Sequence, residues 1–196
     1  MSDDDVAARD LRDLAQAVAD QAASFLLAVR EIARNGERST AVPLLLLEVS
    51  QLLLGGARLA VNADFVPRDE YEPDVGPDPD LDDMRIRLAA LLEGADDYTE
   101  VFDPYMDPPE LVVSRISDDI AGIASSVAHG LRHFRSGHLG EALWWWQFSY
   151  VSNWGAEASA ALRALQSVIA HDRLDASRVS AREAERVAAA EGFDDA

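Results

Sequence analysis

Apolar residues recur every three or four positions along most of this chain, which is the period of a helix with one buried face. Leu11, Leu14, Val18, Phe25, Val29 and Ile32 mark the first such stretch and predict a helix over Asp3 to Asn35, stopped by Asn35 and Gly36. A second helix opens at Ser39 or Thr40, tolerates Pro43 in its first turn and continues to about Val61. Its leucines fall on nearly every side, so it reads as a core helix enclosed by neighbours. Glu48, Gln51, Gly55, Arg58 and Asn62 share its single polar stripe.

Residues 62–79 break the period and form an acidic, proline-rich surface loop punctuated by Phe65, Val66, Tyr71 and Val75. A third helix begins near Asp80 and buries Met84, Leu88, Leu91 and Leu92. After an irregular stretch from Asp103 to Pro109, a fourth helix is capped by Ser117 and ends at Ser136 and Gly137, with Ile120, Ile123, Val127, Leu131 and Phe134 as its seam. The fifth, from His138 or Leu139 to about Arg173, spans roughly 50 Å at about 1.5 Å per residue. It carries two adjacent seams. One is Trp144, Phe148, Val151, Gly155, Ala158, Leu162, Leu165 and Ile169; the other is Leu143, Trp146, Tyr150, Trp154, Ala161, Ala164 and Val168. Two seams demand neighbours on two sides and place this helix at the centre. The fold class expected is all-α: one domain over residues 1–173, a bundle of five to six helices around a long central aromatic-rich helix. Residues 174–196, acidic and poor in large apolar side chains, are expected to form a weakly packed tail, helical or disordered. No internal repeat emerges.

Composition narrows the function. The chain has no cysteine and no lysine, which removes disulfides, thiolate metal sites, Schiff-base lysines and the phosphate-binding lysine of P-loops. Net charge is −19, and residues 62–110 hold 16 acidic residues against 3 arginines. Such a surface repels phosphate backbones and argues against direct nucleic-acid binding. The apolar run from Ala41 to Val61 is interrupted by Glu48, Gln51 and Arg58, so a membrane span is not expected, and the acidic N-terminus lacks the features of a secretory signal. The expected compartment is the cytoplasm.

Four groups of residues could carry chemistry. His129 and His133 stand four apart, as two metal ligands on one helical face would, but no complete ligand set accompanies them. Asp78, Asp80, Asp82 and Asp83 alternate like a calcium loop, yet Asp83 stands where such a loop needs glycine and Ala89 where it needs glutamate. No cofactor is therefore expected. Three consecutive tryptophans sweep about 200° of helix, which should push Trp145 out of the core beside Glu141, Ser149 and Ser152. The remaining candidates are polar groups inside apolar helices: Glu48, Gln51 and Arg58 on the second, and Gln147, Asn153, Glu157 and Arg163 on the fifth. If buried they must pair, either as a network fixing register or as the lining of a pocket.

The strings PDVGPDPDLDDMRIRLAALLE, HGLRHFRSG, EALWWWQFSYVSNWG and ALRALQ resemble the bacterial domain-of-unknown-function family numbered 5063, over about residues 10–173. The resemblance implies a helical fold with Trp154 and Gly155 closing an aromatic cluster, followed by Ala161, Leu162 and Arg163. It supplies no catalytic residue. The reading that follows is a protein–protein interaction or regulatory module whose partner is another protein, with Trp145, Trp154, Asn153, Glu48 and Arg163 as candidate partner- or ligand-binding residues. The alternative is an enzyme or sensor with a metal or small-molecule site between the second, fourth and fifth helices.

Overall fold

The computed structural model describes residues 3–62, 64–67 and 73–191, with side chains from Asp5 to Asp175 inside those spans except Ala7. Expectations for Tyr71 and for the packing of residues 176–196 lie outside the described side chains. In chain order the elements are α1 (Asp3–Asn35), α2 (Arg38–Ala60), α3 (Asp82–Leu91), β1 (Asp97–Val101), β2 (Leu111–Arg115), α4 (Ile116–Arg135), α5 (Leu139–Ser149), a π-helical turn (Tyr150–Trp154) and α6 (Gly155–Glu191). The fold is mainly helical and forms one packed domain. In it α2 packs on α6, α4 on α5 and α6, and α1 on α2 and α4.

The buried side chains that fill the bundle include Phe25, Leu45, Leu59, Ile120, Ile123, Trp146, Trp154 and Leu165. Two of these aromatics need glycine beneath them. A β-carbon on Gly130 would lie 2.3 Å from Nε1 of Trp146, and one on Gly56 would lie 2.3 Å from the ring of Tyr150 and 2.7 Å from Trp154. The indole N–H of Trp146 donates to the carbonyl of Val127 at 3.1 Å, so the ring is fixed across α4 as well as packed against it. Gly137, at φ +84, ends α4 where the sequence placed its stop.

The long fifth helix is continuous but not uniformly α-helical. A π turn takes in one extra residue, so the α5 face is rotated relative to the α6 face that follows. The seam Leu143, Trp146, Tyr150, Trp154, Ala161, Ala164 and Val168 faces inward throughout. The other seam does not: Phe148 and Val151 are 52% and 72% exposed, whereas Ala158 and Leu165 beyond the turn are fully buried.

Three further expectations need correcting. Residues 97–115 contain an antiparallel hairpin that the helical period concealed, because the inward positions of β1 are Tyr98 and Glu100 rather than two apolar residues. Ser117 does not cap α4; it sits buried in the first turn. Asp96 takes that role from a distance, accepting from the Ser117 amide and hydroxyl, both at 2.8 Å. Finally, α2 is not enclosed. Leu44, Leu47 and Leu54 are 42%, 50% and 57% exposed, and Val61 just past its end is 85% exposed.

Candidate functional site

A cleft of about 930 Å³ opens between the hairpin and α6. Ala156, Ser159, Ala160, Arg163, Ala164 and Ser167 present one face of α6 to it, and the small side chains at most of these positions keep the helix wall low. Across the cleft, Asp97 through Phe102 line it consecutively. Neighbouring strand residues point to opposite faces, so a wall made of all of them is a strand edge rather than a strand face. Arg38 and Val42 from α2 and Leu91 and Leu92 at the end of α3 contribute to the lining alongside Val168, His171 and Asp172.

The hairpin register shows which backbone groups that edge presents. Phe102 donates to the carbonyl of Glu110 at 3.0 Å, and Ile116 donates to that of Asp96 at 2.9 Å. With Glu100 opposite Val112 and Tyr98 opposite Ser114, the even-numbered residues form the hydrogen-bonded pairs. The N–H and C=O of Asp97, Thr99 and Val101 therefore point away from β2. Among the described residues, the backbone of Thr99 and Val101 makes no hydrogen bond outside the ladder.

The inner face of β1 is anchored by carboxyl groups. Tyr98 donates to Asp119 on α4 at 2.7 Å, and Ser114 donates to Glu100 at 2.9 Å. Glu157 of α6 lies against Gly122, where an added β-carbon would stand 3.0 Å from its Oε2. Burial pushes the Asp119 carboxyl up to about 7, opposed by the Tyr98 hydrogen bond and reinforced by the charges of Glu157, Glu100 and Asp118. Burial also raises Glu157, with Glu100 adding repulsion, and raises the Tyr98 phenol, which Asp119 holds further up.

The histidine pair lies elsewhere, on α4. His133 is fully buried, and its Nε2 is 3.2 Å from Nε2 of His129. Nδ1 of His129 is 3.1 Å from Asp78, which Arg132 also engages at 2.5 Å, and its ring packs on Trp145 with centroids 4.2 Å apart. His129 and Arg132 together hold the Asp78 carboxyl below its ordinary range despite some burial. The cluster thus fastens the loop before α3 to α4. Among the described residues, no group of three or more His, Asp or Glu is arranged to hold a metal ion.

The other sequence candidates scatter. Trp145 is half-buried and donates from its indole to the carbonyl of Ser126 at 2.9 Å, so Phe148 rather than Trp145 is the aromatic that leaves the core. Trp154 is buried, and Asn153 is exposed beside Glu157. Glu48 sits at the margin of the exposed side of α2, its carboxyl raised by burial. Gln147 is a buried bridge, donating to the Leu59 carbonyl at 3.0 Å and accepting from the Phe65 amide at 2.9 Å. Only Arg163 reaches the cleft. The edge of β1 is not legible in the sequence, because DYTEV, though it holds the strand-prone Tyr98, Thr99 and Val101, is short and carries Asp97 and Glu100 in place of an apolar alternation.

Fold and cleft define a mainly helical bundle carrying a two-stranded hairpin that walls a groove against its last helix. The chain belongs to the family described as domain of unknown function DUF5063, whose pattern matches residues 9–171. It is similar in fold to the crystal structure of protein BF1032 from Bacteroides fragilis, with a TM-score of 0.61 and 23% identity over 77% of this chain and 89% of that one. No curated protein matches the chain significantly.

Proposed function

We propose that the protein is an interaction module whose cleft receives an extended segment of a partner protein as a third strand on β1. The observation that supports this reading is the free edge. Asp97, Thr99 and Val101 direct unpaired backbone groups into a cleft walled on its far side by small residues of α6. An unprotected edge is a template for strand addition, and main-chain hydrogen bonds then supply affinity while neighbouring side chains supply specificity. From Ala156 to Asp172 the helical wall is roughly 24 Å long, room for about seven extended residues.

Arg163 gives the cleft a preference. It lines the groove, is exposed, and has no ion pair among the described residues. A carboxylate on the bound segment would meet it there. Val101 and Phe102 in the cleft wall and Leu111 and Val113 on the neighbouring strand are 44% to 78% exposed, an apolar margin of the kind that borders binding sites.

The test is selection from a displayed library of random linear peptides, followed by affinity measurement on the wild type and on Thr99→Pro. Proline removes one outward N–H and leaves the ladder to β2 intact, as edge strands tolerate. The reading expects enriched sequences to bind the wild type and to lose at least about tenfold in affinity on Thr99→Pro, a change of about 1.4 kcal/mol. Binding indifferent to Thr99→Pro, or no enrichment at all, contradicts it.

A further inference from the structure

α2 buries one side only. Leu45, Val49, Leu52 and Leu59 face the core, while Leu44, Leu47, Leu54 and Val61 stay in solvent. Together with Gln51 and Arg58, the exposed residues fall at alternating steps of three and four, the spacing that keeps one helix in contact with another along its whole length. Between Thr40 and Val61 the sole carboxylate is Glu48. On a chain of net charge −19 this is a nearly uncharged face, where a second copy meets little repulsion.

Two charged residues indicate what covers it. Glu48 borders the seam and Arg58 sits on it, about 15 Å apart along the helix, and neither has an ion-pair partner among the described residues. Antiparallel packing of two α2 helices, with the two-fold axis between Leu52 and Leu53, sets Leu44 against Val61, Leu47 against Arg58 and Gln51 against Leu54. Symmetry repeats each contact. Arg58 of one copy then crosses Leu47 of the other and brings its guanidinium beside Glu48, so both unpaired charges find partners. No rearrangement of the bundle is needed.

We propose that the protein forms a two-fold homodimer through the outer face of α2, with reciprocal Glu48–Arg58 ion pairs setting its antiparallel register. A lipid surface is the rival occupant, since α2 is long and apolar enough to cross a membrane by length and composition. Its inner side, however, is part of the bundle core, and anionic headgroups repel a chain this acidic. A second copy carries the same net charge but meets it across this nearly uncharged face, and its own Glu48 and Arg58 supply the ion pairs that a lipid surface does not.

The experiment is sedimentation equilibrium of the full chain with Leu54→Glu, Glu48→Arg, Arg58→Glu and the double charge exchange, each checked for unchanged helicity by circular dichroism. Vesicle co-sedimentation with anionic and with zwitterionic lipid runs alongside. The expected result is a wild-type dimer at micromolar concentration and a monomer for Leu54→Glu. Each charge reversal should raise the dissociation constant about tenfold or more, and the double exchange should restore most of the loss. A monomeric wild type, a dimer indifferent to Leu54→Glu, a double exchange no better than the singles, or vesicle binding abolished by Leu54→Glu would overturn the proposal. Leu54, Glu48 and Arg58 do not line the cleft, so peptide binding there, measured separately, should be unchanged by these substitutions and the two readings fail independently.

Discussion

The phenol of Tyr98 donates a 2.7 Å hydrogen bond to Asp119, and through it the inner face of β1 is tied to α4. The register with β2 turns the backbone groups of Thr99 and Val101 outward, and the tie holds that edge of β1 in place along the cleft it shares with α6. Asp119 is also crowded by Glu157 and Glu100, so the anchor holds together carboxyl groups that repel one another when ionised.

That crowding has a sign. The folded-state carboxyl of Asp119 titrates at about 7, above its ordinary value, so the folded protein holds a proton that the unfolded chain releases. Its stabilising contribution is complete below the unfolded carboxylate range, near pH 4, and is lost as pH rises toward 7. Asp119→Asn mimics the protonated form at all pH values. The gap in melting temperature between Asp119→Asn and the wild type should therefore widen in favour of the variant between about pH 5 and pH 8. Asp78, whose carboxyl is lowered, changes charge below that window. A gap that is constant with pH would show that the anchor does not titrate there.

Gly130→Ala places a methyl group 2.3 Å from the indole of Trp146, which is already held by Val127 and fully buried. Relieving that contact would strain the hydrogen bond to Val127 and the packing around the ring, so overpacking should cost about 1–3 kcal/mol. For a chain of this size that lowers the melting temperature by about 2–4 °C per kcal/mol, measurable by calorimetry. A variant as stable as the wild type would mean that the contact relaxes freely.

The π turn makes a paired prediction about one sequence seam. Leu165→Asp, beyond the turn, buries an unpaired carboxylate at a cost of several kcal/mol and should unfold a domain whose total stability is of the order of 5–15 kcal/mol. Phe148→Asp, before the turn, places the same charge at a half-exposed position and should shift the melting temperature little. Equal effects at both positions would remove the change of phase.

How far the sequence revealed this molecule follows the same physics. The bounds of α1, the stop at Gly137 and the inward seam through Trp146 and Trp154 were legible because apolar period and glycine chemistry are local signals. The π turn was not, since one inserted residue changes no residue type and only shifts phase. The exposed side of α2 was hidden because leucine on every side looks the same whether a neighbour covers it or not. Of the residues singled out as sites, Arg163 lines the cleft while Trp145 is spent on Ser126 and His129. The edge of β1 depended on the pairing of residues 97–101 with 111–115, a non-local relationship that no window of sequence contains.

The cleft reading is tested most directly by amide hydrogen exchange along β1, measured by NMR with and without a selected peptide. Tyr98 and Glu100 donate inward to β2 and should already exchange slowly in the free protein, with little further change. Asp97, Thr99 and Val101 point outward, and those of them that donate to an added strand should be newly protected when the peptide binds, giving an alternating pattern. Peptide binding that leaves Thr99 and Val101 exchanging as fast as before, or that protects the strand without alternation, would contradict strand addition in this cleft.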